Sequence, residues 1–213
     1  MLIDFNKLWP KYGIIPKGVL HIGSSTGQET EHYINLGVRD ICYIEALPDV
    51  YKGLKEHVKK FPGKFTCINA CISELDGAEV IFNKTNNEGQ SSSMLEFGTH
   101  SKEHPGVKVI EKMRLKTSRV ETLYRTQGIE INRFDFLNID LQGAELIALK
   151  SMSYLLEYFH WAYIEVNKKQ LYEGCPLVGE IDSFMHSHGF IGVEEKYTRH
   201  GWGDKLYEKD YSI

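Results

Sequence analysis

The sequence predicts an α/β fold in which a mostly parallel sheet carries helices on both faces and ends in a C-terminal antiparallel hairpin. Three observations point to it. Gly18-Val19-Leu20-His21-Ile22 reads as a buried strand, and it runs into two glycines spaced four apart, Gly23 and Gly27, with a helical pattern directly behind. Aliphatic runs then alternate with helically spaced segments through five units, the pattern of strands joined by crossover helices. The runs end in polar residues, and ligands of open α/β sheets sit beyond the carboxyl ends of the strands.

Residues 4–12 form a short amphipathic lead-in, with Phe5, Leu8 and Trp9 on one side and Pro10 ending it. Strand one covers 18–22 and its helix 27–36, with Gly37 just beyond the last turn, where a left-handed conformation is needed. Strand two is 40–44. The helix of 49–60 turns Val50, Leu54 and Val58 inward and lysines outward, and Pro62-Gly63 stops it. Strand three, 65–69, is followed by Ala70-Cys71-Ile72-Ser73, a turn at Leu75-Asp76-Gly77 and an edge strand at 78–82. Residues 83–110 lose all periodicity, and loops that long inside a compact domain are usually functional or mobile. Residues 113–117 alternate like an exposed strand, and 118–127 read as a helix with Val120, Leu123 and Tyr124 inward. Strand four is 134–140, followed by a helix at 143–150 and a further helical segment at 155–159. Strand five is 161–166, and the helix at 177–187 carries Ile181, Phe184 and Met185. Segments 190–195 and 205–209 make the closing hairpin. One domain over 1–213 is expected, with 1–16 as its lead-in.

At 213 residues, 42% hydrophobic and 25% charged, the chain has the balance of an ordinary globular domain with a sizeable core. A net charge of −4 argues against a broad phosphate-binding face, and so against nucleic acid as a partner. No run approaches the ~18 apolar residues that span a bilayer. The start, Met1-Leu2-Ile3-Asp4, lacks the basic region of a secretory signal, so the chain reads as cytoplasmic. The four cysteines, Cys42, Cys67, Cys71 and Cys175, form no C-x-x-C pair; the reading is a reduced chain without structural zinc.

The spacing G-x-x-x-G differs from the G-x-G-x-x-G that brings backbone against a pyrophosphate, so a dinucleotide is not the natural ligand. The helix start beyond it offers unpaired N–H groups to a carboxylate. Glu45 ends strand two about twenty residues later, where this fold holds ribose hydroxyls. The run from Asn138 to Leu146, Asn-Ile-Asp-Leu-Gln-Gly-Ala-Glu-Leu, gathers two acids and two amides where strand four enters a helix. Ile164-Glu165-Val166-Asn167 ends strand five in the same way. Asp140 and Gln142 are therefore expected to face the crevice of Gly23 and Glu45.

Four stretches together resemble the FkbM-type S-adenosylmethionine-dependent methyltransferases: His21-Ile22-Gly23 with Gly27-Gln28-Glu29, Ile44-Glu45-Ala46, Ser91-Ser92-Ser93 and the 138–146 run. The resemblance covers about residues 17–167, and its most specific part is the Ile-Asp-x-x-Gly-x-Glu run. It implies a Rossmann-like class I methyltransferase fold with a seven-stranded sheet and S-adenosylmethionine lying across the strand tips. His21, Gly23, Ser24, Thr26, Gly27, Gln28 and Glu29 would then line the methionine portion, Glu45 and Ala46 the ribose, and Asn69 and Cys71 the adenine, with Asp140 closing the site. His21 stands where many members have Asp, Asn138 where many have Lys, and Gln142 where many have Glu. The first change removes a fixed negative charge near the methionine end, and the last removes a candidate base.

Members often modify hydroxyls on sugars or natural products, so the resemblance implies an O-methyltransferase acting on a carbohydrate or glycoconjugate. Methyl transfer is one in-line displacement, and the enzyme mainly aligns donor, carbon and acceptor. An alcohol must also lose its proton, for which Asp140 is the first candidate and His21 the second, with Gln142 beside them. A divalent ion held by Asp140 with Glu165 or Asn167 is the other route, and the sequence leaves base and metal open. The loop 83–110, with Ser92, Ser93 and His100, becomes the expected substrate cover, joined by Glu165 and Asn167. Two other readings keep the fold: a nicotinamide-dinucleotide enzyme, and a non-catalytic cofactor-binding module supporting a partner enzyme. The expected setting is a longer glycan-synthesis polypeptide.

Overall fold

Asp4 caps α1 (Phe5–Tyr12) by accepting from the Asn6 amide at 3.0 Å, and Gly13 ends it at φ 64°. Pro10 lies inside this helix instead of ending it. Docking of Phe5, Leu8 and Trp9, each 1% exposed, outweighs the backbone hydrogen bond the proline forgoes. The computed structural model describes residues 2–212; Met1 and Ile213, the ends of the expected domain, lie outside them.

β1 (Val19–Ile22) leads through the glycine turn to α2 (Thr30–Asn35), β2 (Asp40–Glu45) to α3 (Pro48–Val58), and β3 (Lys64–Asn69) to a short β4 (Cys71–Ile72). β5 (Glu79–Thr85), α4 (His100–Glu103), β6 (Val109–Ser118) and α5 (Val120–Thr126) follow. Then come β7 (Phe136–Ile139), α6 (Glu145–Lys150), β8 (Trp161–Asn167), α7 (Val178–Ser187), β9 (Phe190–Tyr197) and β10 (Trp202–Lys209). The helical segment expected at 155–159 is a 3-10 helix over Ser153–Tyr158. α2 starts at Thr30, later than expected, because Gly27 at φ 77° holds the chain in a turn and Thr30 Oγ1 donates back to its carbonyl at 2.6 Å.

The main sheet has seven strands in the order β3-β2-β1-β7-β8-β10-β9. The first five run parallel, and β10 is antiparallel to both β8 and β9. This is the mostly parallel sheet with a closing hairpin that the sequence predicts. Its central strands are buried along their whole length, as a sheet covered on both faces requires. Leu20, Ile22, Leu137 and Ile164 pack under α5, α6 and α7; Val19, Ile41, Tyr43 and Phe136 pack under α1, α2 and α3. The strand order reverses between β1 and β7, which opens a crevice at their carboxyl ends.

The aperiodic stretch is shorter than 83–110. β5 runs on to Thr85 and β6 begins at Val109, and both belong to a separate three-stranded sheet, β4-β6-β5. The polar end of β5 hid this extension: Asn83 exchanges backbone hydrogen bonds with Ser93 at 2.8 and 3.2 Å, which needs no apolar side chains. The Gly98 and His100 amides donate to the Leu171 carbonyl at 2.8 and 3.0 Å, tying this segment to the chain after β8. Among the described residues no helix is long and apolar enough to cross a membrane.

The Phe5 ring sits 4.9 Å from Tyr163, 5.6 Å from Trp9 and 5.9 Å from Phe136, centre to centre. Phe5→Ala should cost about 3–5 kcal/mol and lower the melting temperature by roughly 10 °C in a chain of this size. A calorimetric shift of less than about 2 °C would show that α1 is not part of the cooperative core.

Candidate functional site

The crevice at the β1/β7 divide is a cleft of about 350 Å³, in the usual range for small-molecule sites. Gly23 forms its inner edge at φ 80°, where a Cβ would stand 1.8 Å from the Asp140 carbonyl oxygen. The Gly23 and Ser24 amides donate to the Ile44 carbonyl at 2.9 and 3.2 Å, which brings the turn over the tip of β2. There Glu45 is 7% exposed, and its two carboxylate oxygens accept from the Ser25 and Leu47 amides at 2.8 Å each. Burial raises its carboxyl above the usual range. A carboxylate offers about four acceptor positions, so about two remain for a ligand diol.

The floor is built after β7. Gln142 takes a left-handed backbone at φ 54°, and its amide nitrogen donates to Asp140 Oδ1 at 2.7 Å and Glu165 Oε2 at 2.9 Å. Its amide oxygen accepts from the Tyr172 hydroxyl at 2.8 Å, and that hydroxyl lies 3.2 Å from the Ser91 carbonyl. Glu145, 1% exposed, accepts from the Leu141 and Gly143 amides through Oε1 at 2.9 and 3.0 Å, fixing the turn that carries Gln142. β10 brings Asp204 directly opposite Glu165 in the register, and the Tyr163 hydroxyl donates to Asp204 at 2.5 Å. Burial raises Asp140 and pushes Glu165 well above the usual carboxylate range, with the charges of Asp140, Glu145 and Asp204 adding to the second shift. Hydrogen bonding between the two lowers Asp140 and raises Glu165.

Of the residues expected from sequence, Gly23, Gln28, Glu29, Glu45, Ala46, Cys71, Ser92, His100, Asp140, Gln142 and Glu165 line the cleft. The others do not. His21 is 3% exposed beneath the floor, 3.4 Å from the Tyr33 hydroxyl, and burial pushes its imidazole down to about 3. It borders a separate void of about 10 Å³ together with Asp140, Glu165 and Asp204. The Ser24 hydroxyl points at the Ile44 carbonyl, and Gly27 packs on Leu54. Thr26 sits in the same turn outside the lining. The Asn69 amide braces the Glu45 and Ala46 carbonyls at 2.8 and 3.0 Å, Ser93 pairs with Asn83, and Asn167 is buried with neither amide atom bonded.

Carboxylate oxygens of Asp140, Glu145 and Glu165 lie within 4.8 Å of one another, the group among the described residues whose spacing suits a divalent ion. The Gln142 amide already donates to two of these acids, and backbone amides occupy the third, so an ion would have to displace existing donors. Asn167 is not in that group.

The family model of the methyltransferase FkbM domain matches residues 21–191. The chain belongs to this family. Among curated proteins none matches it. Solved structures share the fold of this FkbM domain at low identity. TrmK from M. capricolum, in complex with S-adenosyl-homocysteine, aligns with TM-score 0.52 at 11% identity over 90% of this chain and 62% of that one. Magnesium protoporphyrin IX methyltransferase from Synechocystis PCC 6803, with bound SAM, aligns with TM-score 0.52 at 10% identity over 90% and 69%. A protein of the NADB-Rossmann superfamily from Streptococcus agalactiae gives TM-score 0.54 at 12% identity over 99% and 69%.

Sequence reasoning about this FkbM domain missed Tyr172, Trp202 and Asp204, and gave Glu145 no role. Glu145 stands within the 138–146 run. Trp202 and Asp204 open an antiparallel strand, whose start and not its end lies at the carboxyl edge of the parallel sheet; applying the strand-tip rule in reverse to the hairpin would have found them. Tyr172 carries no periodic signal.

Burial pushes Glu145 up to about 7. A carboxyl raised above its unfolded value of about 4.3 contributes stability below that pH and loses it as pH climbs through about 7. Relative to Glu145→Gln, which keeps an acceptor oxygen for both amides, the wild-type FkbM domain should therefore lose urea resistance between about pH 4.5 and 7.5. Parallel stability profiles for the two proteins would show that Glu145 does not titrate there.

Proposed function

We propose that this chain is an S-adenosylmethionine-dependent O-methyltransferase, one domain over 1–213 that methylates a sugar hydroxyl of a glycan or glycoconjugate beneath the segment 83–110. The observation that carries this reading is the Asp140 carboxylate on the cleft floor, next to Gly23 and held by Gln142. Family membership supplies the methyl transfer. The cleft suits the cofactor: Gly23 admits close backbone approach, Glu45 keeps acceptor positions for a ribose, and Ile44, Ala70 and Phe82 offer an apolar wall for a planar base. When bound, S-adenosylmethionine supplies a methyl group on a sulfonium, a cation that the acidic floor favours.

Asp140 takes the proton of the acceptor hydroxyl. Its raised carboxyl makes it a stronger base than an exposed aspartate. Glu165 is raised further, by burial and by the charges of Asp140, Glu145 and Asp204, so of the pair Asp140 gives up its proton first. Gln142 positions both side chains, and Tyr172 fixes Gln142. The neutral polar groups of the cover, Asn87, Gln90 and Ser91 among them, suit a polyol.

Glu45→Ala should weaken S-adenosylhomocysteine binding roughly ten- to a hundredfold by calorimetry, the usual cost of charge-assisted hydrogen bonds. Glu45→Gln, which keeps one oxygen for the loop amides, should lose less. Unchanged affinity in the alanine variant would take Glu45 out of the ribose site, and tighter binding of NAD than of S-adenosylhomocysteine would favour the dinucleotide reading instead.

Asp140→Asn should retain most cofactor affinity while turnover on a glycoside acceptor falls by ~10²-fold or more. Mass spectrometry for a gain of one methylene reads the product. Normal turnover in this variant, with a dead His21→Ala, would move the base to His21; loss of activity with chelator, restored by Mg²⁺, would favour a metal.

A further inference from the structure

The charged side chains of the cleft are Glu29, Glu45, Asp140, Glu165 and Asp204. Among the described residues no Lys or Arg lines it, although the chain carries 25 of them. Lys169 pairs with Glu103, and Lys205, next to Asp204, pairs with Asp182 at 2.8 Å. The two imidazoles on the wall are not cations either. Burial pushes His100 down to about 4, and burial followed by the charge of His200 lowers His104.

His100 is 4% exposed and lines the cleft, and its Nδ1 has no hydrogen-bond partner. The wall also offers Asn87, Gln90, Ser91 and the Trp202 ring, neutral donors and acceptors beside an apolar face. That set fits the hydroxyls and C–H face of an uncharged sugar.

We propose that this site takes only glycosides free of phosphate and carboxylate, so that the reaction supplying its substrate is a glycosyl transfer that has already released the nucleotide. In that earlier step an acceptor hydroxyl gains the anomeric carbon and a nucleoside phosphate leaves. In this one the new C–O bond forms as the S–C bond breaks, and the hydroxyl proton goes to Asp140. The proposal rests on the hydroxyl-methylating reading above. A phosphate brought among these carboxylates meets repulsion that no basic side chain offsets, whereas a neutral polyol meets none.

The test compares matched acceptors with the full chain and S-adenosylmethionine: methyl glycosides of hexoses and 6-deoxyhexoses against the same sugars as nucleoside diphosphate esters. The expected result is methylation of neutral glycosides with kcat/KM at least ~10²-fold above their nucleotide forms, the scale of like-charge repulsion in a partly enclosed site. Asp204→Asn, which removes one charge and keeps an acceptor for Tyr163, should narrow that gap several-fold. Comparable rates on the nucleotide sugars overturn the inference and leave the hydroxyl-methylating reading standing. An unchanged gap in Asp204→Asn also overturns it, by showing that the exclusion is steric. Methylation of neither class by protein that binds S-adenosylhomocysteine removes the glycoside reading, and this inference with it.

Discussion

The Asp140 carbonyl oxygen fills the space where a side chain on Gly23 would begin. The Asp140 amide meanwhile donates to the Ile22 carbonyl at 3.0 Å, so β1 and β7 stay paired up to the last residue before each departs to its own helix. This contact brings the glycine turn and the acidic floor into one cleft. Any Cβ at position 23 would push β7 away and carry Asp140, Gln142 and Glu145 with it. The rest of the sheet follows from the same divide. Crossovers on one side of it build β2 and β3 over Glu45; those on the other build β8 and the hairpin over Glu165 and Asp204.

A cost comes with gathering acids at that edge. Asp140, Glu145, Glu165 and Asp204 are largely withdrawn from water, and buried charges without partners are expensive. The protein lowers this cost in three ways. Glu145 receives two backbone amides, Asp204 receives the Tyr163 hydroxyl and the Leu2 amide, and Asp140 shares the Gln142 amide with Glu165. The raised carboxyls show that this relief is incomplete. A cationic ligand would complete it, while the aliphatic and aromatic packing on both faces of the sheet carries the stability.

The fold was legible because its strands are short, aliphatic and buried on both faces, which leaves an unambiguous trace from Leu20 to Ile164. The site was legible where it lies at parallel strand tips: Gly23, Glu45, Asp140, Gln142 and Glu165 were all visible by that rule. It failed where contacts cross the chain. Tyr172 reaches the floor from a segment with no period, and Asp204 enters from an antiparallel strand. His21 alternates with buried neighbours on β1 and so faces the α1 side of the sheet, in a row with Tyr43, Asn138 and Tyr163. Its place beside the glycine turn did not reveal that orientation. Ser93 and Asn69 were polar for local reasons, bracing turns with their own backbone or amide.

A glutamine at position 142 suits the same geometry. A carboxylate there would stand within hydrogen-bond distance of both Asp140 and Glu165 with no proton to offer either. The amide instead donates to both, and its Oε1 accepts from the Tyr172 hydroxyl. Turned the other way, the amide oxygen would face the acceptor oxygens of two acids. Tyr172 also touches the Ser91 carbonyl and bridges to Phe97, so the residues that cover the cleft and those that form its floor share one hydrogen-bonded link. A ligand seated against Ser91 would therefore press on the group that orients Gln142, and through it on Asp140 and Glu165.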